Sequence, residues 1–147
     1  RNIKDIVLLL DSACLVYNGL NQIENLIKQT KIYSPYSAED IKTYCHKECI
    51  KNMNFPFTHN LPMLSGGVLG IDLNTDEGYR FIVDFVMACS IPQVLIPEGS
   101  NKSNHRQDQS VLTLLYYLYK YKYNLVQVLD KINIEVQVGI FAVEKFL

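Results

Sequence analysis

The feature that most limits how this chain can fold is a short apolar run, Ile6-Val7-Leu8-Leu9-Leu10, ended at once by Asp11-Ser12. Unbroken Ile, Val and Leu over this length predict a strand buried on both faces, inside a strand-like segment at residues 3–10. Such strands belong to parallel or mixed sheets, and in open α/β sheets ligands gather beyond the carboxyl ends of the strands. Asp11 then stands where a site would form. A carboxylate there can bind a divalent cation or a ribose hydroxyl, because hard cations take oxygen ligands. The structural alternative is a turn aspartate that accepts from backbone N–H groups.

Downstream, Leu20, Ile23 and Ile27 recur at helical spacing, with Asn18 as N-cap. Ser37 and Asp40 have capping-box spacing, which predicts a second helix from Ser37 with Ile41, Tyr44, Cys45 and Cys49 on its apolar face. Residues 54–62 carry Pro56 and Pro62 and read as a loop. Residues 63–73 read as a strand interrupted at Gly66-Gly67 and closed by Asp72. Asn74, with Glu77 three residues on, opens a third helix that presents Ile82, Phe85, Val86 and Cys89 on one face. Residues 93–96 read as a short strand and residues 97–106 as a surface loop. A fourth helix opens near Gln107 with Val111, Leu114, Leu115 and Leu118 on its stripe, and Ile134, Val136, Val138 and Ile140 alternate as a last strand. Strands alternating with helices predict an α/β class: one domain over residues 1–147, a mixed sheet flanked by helices.

Composition removes several functions. A net charge of −1 with no run of one sign offers no electrostatic grip on nucleic acid or an anionic membrane. No apolar stretch approaches the roughly 20 residues that span a bilayer. Because Arg1 runs almost directly into a strand-like segment, the chain reads as a piece of a longer protein, whose targeting signal would lie elsewhere. Cys14, Cys45, Cys49 and Cys89 are scattered through apolar patterns and read as buried thiols in a reducing compartment such as the cytoplasm. Cys45, His46, Cys49 and His59 could suggest zinc, but Cys45 and Cys49 share a stripe with Ile41, which marks a core face. The tyrosines at 116, 117, 119, 121 and 123 read as packing with hydroxyls at the rim.

Two further stretches carry chemistry. In Ser65-Gly66-Gly67-Val68-Leu69-Gly70, missing Cβ atoms let a ligand approach the backbone, whose amides can hold a phosphate or a sugar hydroxyl. A β-bulge is the plainer reading of those glycines. His105-Arg106-Gln107-Asp108-Gln109-Ser110 crowds an imidazole, a guanidinium, a carboxylate and amides into the mouth of a helix. Asp108 fits a general base for an acceptor hydroxyl, or an ordinary acid in a first helical turn.

Taken together, these blocks resemble GT-A-type glycosyltransferases. Residues 6–12 resemble the strand that delivers the metal or nucleotide aspartate, residues 62–70 are similar to the donor/acceptor loop, and residues 104–112 resemble the block leading into the helix that lines the sugar pocket. The order and separation of the three match, over roughly residues 3–120. The resemblance implies a GT-A-like fold lacking the N-terminal nucleotide-binding βαβ half. It also implies transfer of a sugar from a nucleoside-diphosphate donor to a glycan or protein acceptor. Asp11 is then the metal or nucleotide residue and Asp108 the catalytic one. Ser65, Gly66, Gly67, His105, Arg106 and Gln109 bind substrate. A divalent metal, Mn or Mg, is implied with one carboxylate fewer, since the family's Asp-x-Asp is here Asp11-Ser12-Ala13. The rival reading is a non-catalytic remnant that binds a glycan or a protein. A small hydrolase is disfavoured, since no Gly-x-Ser-x-Gly elbow is present. The enzymatic reading requires the three blocks to meet around one cleft.

Overall fold

The computed structural model describes residues 5–12, 14, 16 and 20–126. In order, the elements are β1 (Ile6–Leu10), α1 (Asn21–Thr30), β2 (Ile32–Tyr33), β3 (Tyr36–Asp40), α2 (Ile41–Tyr44), α3 (Lys47–Asn52), β4 (Pro62–Leu64), β5 (Val68–Asp72), α4 (Asp76–Cys89), α5 (Pro92–Leu95) and α6 (Asp108–Tyr123). Two small antiparallel sheets flanked by helices make a mixed α and β architecture. One sheet has the order β1-β5-β2 and the other pairs β3 with β4. The predicted last strand at residues 134–140 and the Asn18 cap lie outside the described residues.

The central strand is β5, buried at every position. Its residues face two cores. Val68 packs with Ile23, Leu26 and Ile27 of α1, whereas Leu69 and Ile71 join the larger core built by α4, α6 and β4. Gly70 has a packing reason: a Cβ there would meet Ile27 Cδ1 and Cγ1 at 2.4 Å, so its absence lets α1 lie close on the sheet.

The sheet corrects the reading of residues 6–10. Every strand pair among the described residues is antiparallel, with Ile6 opposite Asp72 and Leu10 opposite Val68. Strand β1 is an edge within that sheet and is not buried on both faces: Leu9 is 46% exposed. Its unbroken apolarity has another cause. Ile6, Leu8 and Leu10 pack on the α1 core, while Leu9 turns to a cleft on the opposite face.

Five local expectations also change. Ser37 does not open a helix, because residues 36–40 pair with β4; the cap is Asp40, which accepts from the Thr43 N–H at 2.9 Å. The stripe from Ile41 to Cys49 is broken at Cys45, where the backbone is extended, and restarts in α3 with His46 as N-cap. Residues 93–96 form no strand; Pro92 supplies a preset φ for the one-turn helix α5. In α4 the inward stripe is Gly78, Phe81, Ile82, Phe85, Ala88 and Cys89, so Val86 falls off it and is 61% exposed. The cap of α4 is Thr75, accepting from the Gly78 N–H at 3.1 Å, one residue past Asn74. Helix α6 begins at Asp108 as the sequence indicates, and is buried from Ser110 through Tyr117.

Candidate functional site

Past the end of β1 the β1–β5 ladder continues by one bond, as the Asp11 N–H donates to Gly67 O at 2.9 Å. The exit from β1 is tied to the same carbonyl a second time, since the Cys14 thiol reaches Gly67 O at 3.7 Å. The Ser12 hydroxyl donates to Asp11 Oδ1 at 3.2 Å. On the other side of the glycines lies the start of α6. A Cβ on Gly67 would stand 3.6 Å from Asp11 Cβ, and one on Gly66 only 2.9 Å from Gln109 Cβ. The Gly66-Gly67 backbone is therefore sandwiched between the first and third blocks of the sequence.

The mouth of α6 is a tight turn. Gln107 has φ 49° and ψ −121°, the geometry of the second residue of a type II′ turn, and the Gln109 N–H closes that turn on Arg106 O at 3.1 Å. This aims the Asp108 carboxylate outward; one of its oxygens accepts from the Gln109 N–H at 3.0 Å. The Gln109 amide is held by two acceptors, donating through Nε2 to Leu64 O at 2.9 Å and to Glu39 Oε2 at 3.0 Å.

These elements enclose a cleft of about 390 Å3, lined by Asp11, Gly66, Gly67, Asp108 and Gln109 over an apolar floor of Leu9, Leu10, Leu69, Phe85 and Leu112. The three sequence blocks thus share one cavity. A hollow of about 410 Å3 lies on the α1 face of β1 and contains none of the sequence candidates; its Glu24 and Lys28 are paired with each other at 2.6 Å. The smaller cleft is the stronger candidate, because its polar groups face a ligand-sized space from three separate segments.

Three candidates stand outside the lining. Ser65 serves the backbone: its N–H donates to Pro35 O at 2.6 Å and its carbonyl accepts from the Ser34 hydroxyl at 3.0 Å. His105 is 2% exposed and both ring nitrogens are occupied. Its Nδ1 accepts from the His46 N–H at 3.2 Å, which leaves Nε2 to donate to Leu95 O at 3.1 Å. Burial lowers the pKa of this imidazole, in keeping with a neutral strut between α3, α5 and α6. Arg106 pairs with Glu39 at 2.6 Å and lies 4.5 Å over the Tyr44 ring. Glu39 was invisible as a candidate because it reaches Arg106 and Gln109 from a strand some 70 residues away in sequence. The apolar floor was equally hidden, since each member reads locally as core.

Chemically the lining offers oxygen acceptors. Asp11 fits a hard cation shared with the phosphates of a ligand, a mode that needs only one or two protein carboxylates. A protein cage is not formed: among the described residues no three His, Cys, Asp or Glu side chains stand together as a metal set. Burial pushes the Cys45 and Cys49 thiols up to about 12, in keeping with their place in the larger core. All four cysteines are free thiols. No described helix is long and apolar enough to cross a membrane. No protein-family model, no curated protein and no solved structure matches the chain.

Proposed function

We propose that the cleft is a sugar-binding and transfer site, and that the protein is a GT-A-like glycosyltransferase moving a sugar from a nucleoside-diphosphate donor to an acceptor hydroxyl. The observation that carries this reading is the meeting of Asp11, Gly66-Gly67 and Asp108-Gln109 around one cavity. Its volume falls in the range of small-molecule sites, roughly 300–1,000 Å3. An apolar floor with polar acceptors above it suits a ring that presents a C–H face and several hydroxyls.

In this reading Gly66 and Gly67 let the ligand approach the backbone, and the Gln109 amide oxygen accepts from a sugar hydroxyl. Asp108 takes the acceptor proton as general base, or orients the sugar through a hydroxyl. Asp11 holds a ribose hydroxyl or a divalent ion, Mn or Mg, which when bound neutralises charge on the departing diphosphate. His105 and Arg106 act one layer behind, fixing the turn that aims Asp108. Rate enhancement then comes from positioning and from charge stabilisation.

The test is transfer by the full-length protein carrying Asp108→Asn, alongside calorimetric titration with UDP and GDP, with and without manganese. Loss of a general base lowers turnover by about 10²–10⁴-fold. Turnover within a few-fold of the parent removes Asp108 from the mechanism. Glycan binding with no transfer by the parent would favour a non-catalytic binding module.

A further inference from the structure

We infer that Glu39 is a positioning residue for the cleft: it fixes the Gln109 amide so that its carbonyl oxygen is the group offered to a ligand hydroxyl. The inference rests on the reading of the cleft as a sugar site.

The argument starts from what each partner can do. Glu39 divides its carboxylate, Oε1 taking Arg106 Nη2 at 2.6 Å and Oε2 taking Gln109 Nε2 at 3.0 Å. The second hydrogen of that amide nitrogen goes to Leu64 O at 2.9 Å. A carboxylate and a backbone carbonyl are acceptors only, so the NH2 group of Gln109 must face them both and cannot exchange places with its oxygen. Both supports are themselves anchored. Leu64 is set by β4 and by its N–H donating to Thr113 Oγ1 at 3.0 Å. Glu39 is held by the guanidinium that stacks on Tyr44. With both amide hydrogens spent, Gln109 can offer the cleft only an acceptor. Asp11 and Asp108, the other polar side chains of the lining, are acceptors too. The side chains of the cleft thus favour a ligand that donates through hydroxyls, and do not attract an anion by themselves. Glu39 touches no ligand; it acts through Gln109.

The full chain is compared with Glu39→Ala, Gln109→Ala and the double variant, each checked by circular dichroism for retained fold. Two readouts are taken. In the ligand-free parent, NMR should show two slowly exchanging Gln109 side-chain amide protons, one of which shifts upfield and exchanges faster in Glu39→Ala. With methyl hexosides as probes, Glu39→Ala should weaken binding about three- to ten-fold, the worth of one neutral hydrogen bond. The same substitution should lose most of its effect in the Gln109→Ala background, where only its tie to Arg106 remains. Glu39→Gln is the second variant should alanine compromise folding; with one acceptor oxygen for two donors, it should move both readouts the same way. Unchanged amide protons, or equal losses of affinity in both backgrounds, overturn the inference. If the parent binds no hexoside, the sugar-site reading fails, and the amide readout by itself still decides whether Glu39 holds Gln109.

Discussion

Replacing Gly66 by alanine places a Cβ 2.9 Å from Gln109 Cβ and 3.2 Å from its Cγ. Carbon atoms rest at about 3.5–4.0 Å, so the two segments must part by roughly 0.6–1 Å. The near atom is a Cβ fixed to the first turn of α6, and cannot swing away as a side-chain tip can. Overpacking of this kind costs about 1–3 kcal/mol. Alanine recovers about 0.4–1 kcal/mol by restricting the unfolded chain. The net expectation is a loss of about 1–2 kcal/mol, which lowers the melting temperature by roughly 3–6 °C for a domain of this size. The specific signature is a cycle with Gln109→Gly. That change alone removes two hydrogen bonds and puts glycine in a helix, but it also deletes the atom that collides. The double variant should therefore lose about 1 kcal/mol less than the sum of the single losses. Thermal and urea unfolding of the four proteins measure this. Additivity within about 0.5 kcal/mol, or a Gly66→Ala variant as stable as the parent, would show that the glycine is not there to admit α6.

Two further outcomes follow from the same region. Gln107→Gly should stabilise the protein by about 1 kcal/mol in urea unfolding, since φ 49° with ψ −121° strains a side-chain-bearing residue by roughly 1–3 kcal/mol and glycine's entropy returns part of that; a destabilised variant refutes the strain. His105 has a folded pKa lowered from 6.5, so its neutral form is the one folding favours. The stability it contributes is complete above about pH 6.5 and is lost as pH falls through the folded value. The fall in stability between about pH 7.5 and about pH 5 should be shallower in His105→Gln than in the parent, and parallel profiles would remove His105 as the cause.

The sequence made some elements readable because their signals are local. The end of β1 is announced by the change from Leu10 to Asp11, and the start of α6 by Asp108 behind a polar loop. The convergence of the blocks could be posed from the resemblance, whereas the bonds that achieve it could not. Asp11 reaches Gly67 through a ladder whose antiparallel sense no run of apolar residues encodes. Residues 36–40 read as a helix opening because Ser37 and Asp40 carry cap chemistry, yet pairing with β4 overrides that preference. The position of His105 and Arg106 outside the cleft lining was hidden for a related reason. Polar side chains in a loop look available for ligands until burial and partners are known, and here both ring nitrogens of His105 are bonded while Arg106 is paired with Glu39 over the Tyr44 ring.

Helix α6 is buried from Ser110 through Tyr117, and apart from Leu112 on the floor of the cleft neither a charge nor an added methylene finds room along that stretch. The opposite wall is built differently at the exit from β1, where Asp11 and the neighbouring Ser12 are exposed. Tolerance to substitution is therefore lopsided across the cavity. A laboratory library aimed at changing ligand preference should be concentrated on the Asp11 rim, leaving the buried helix as an invariant backstop.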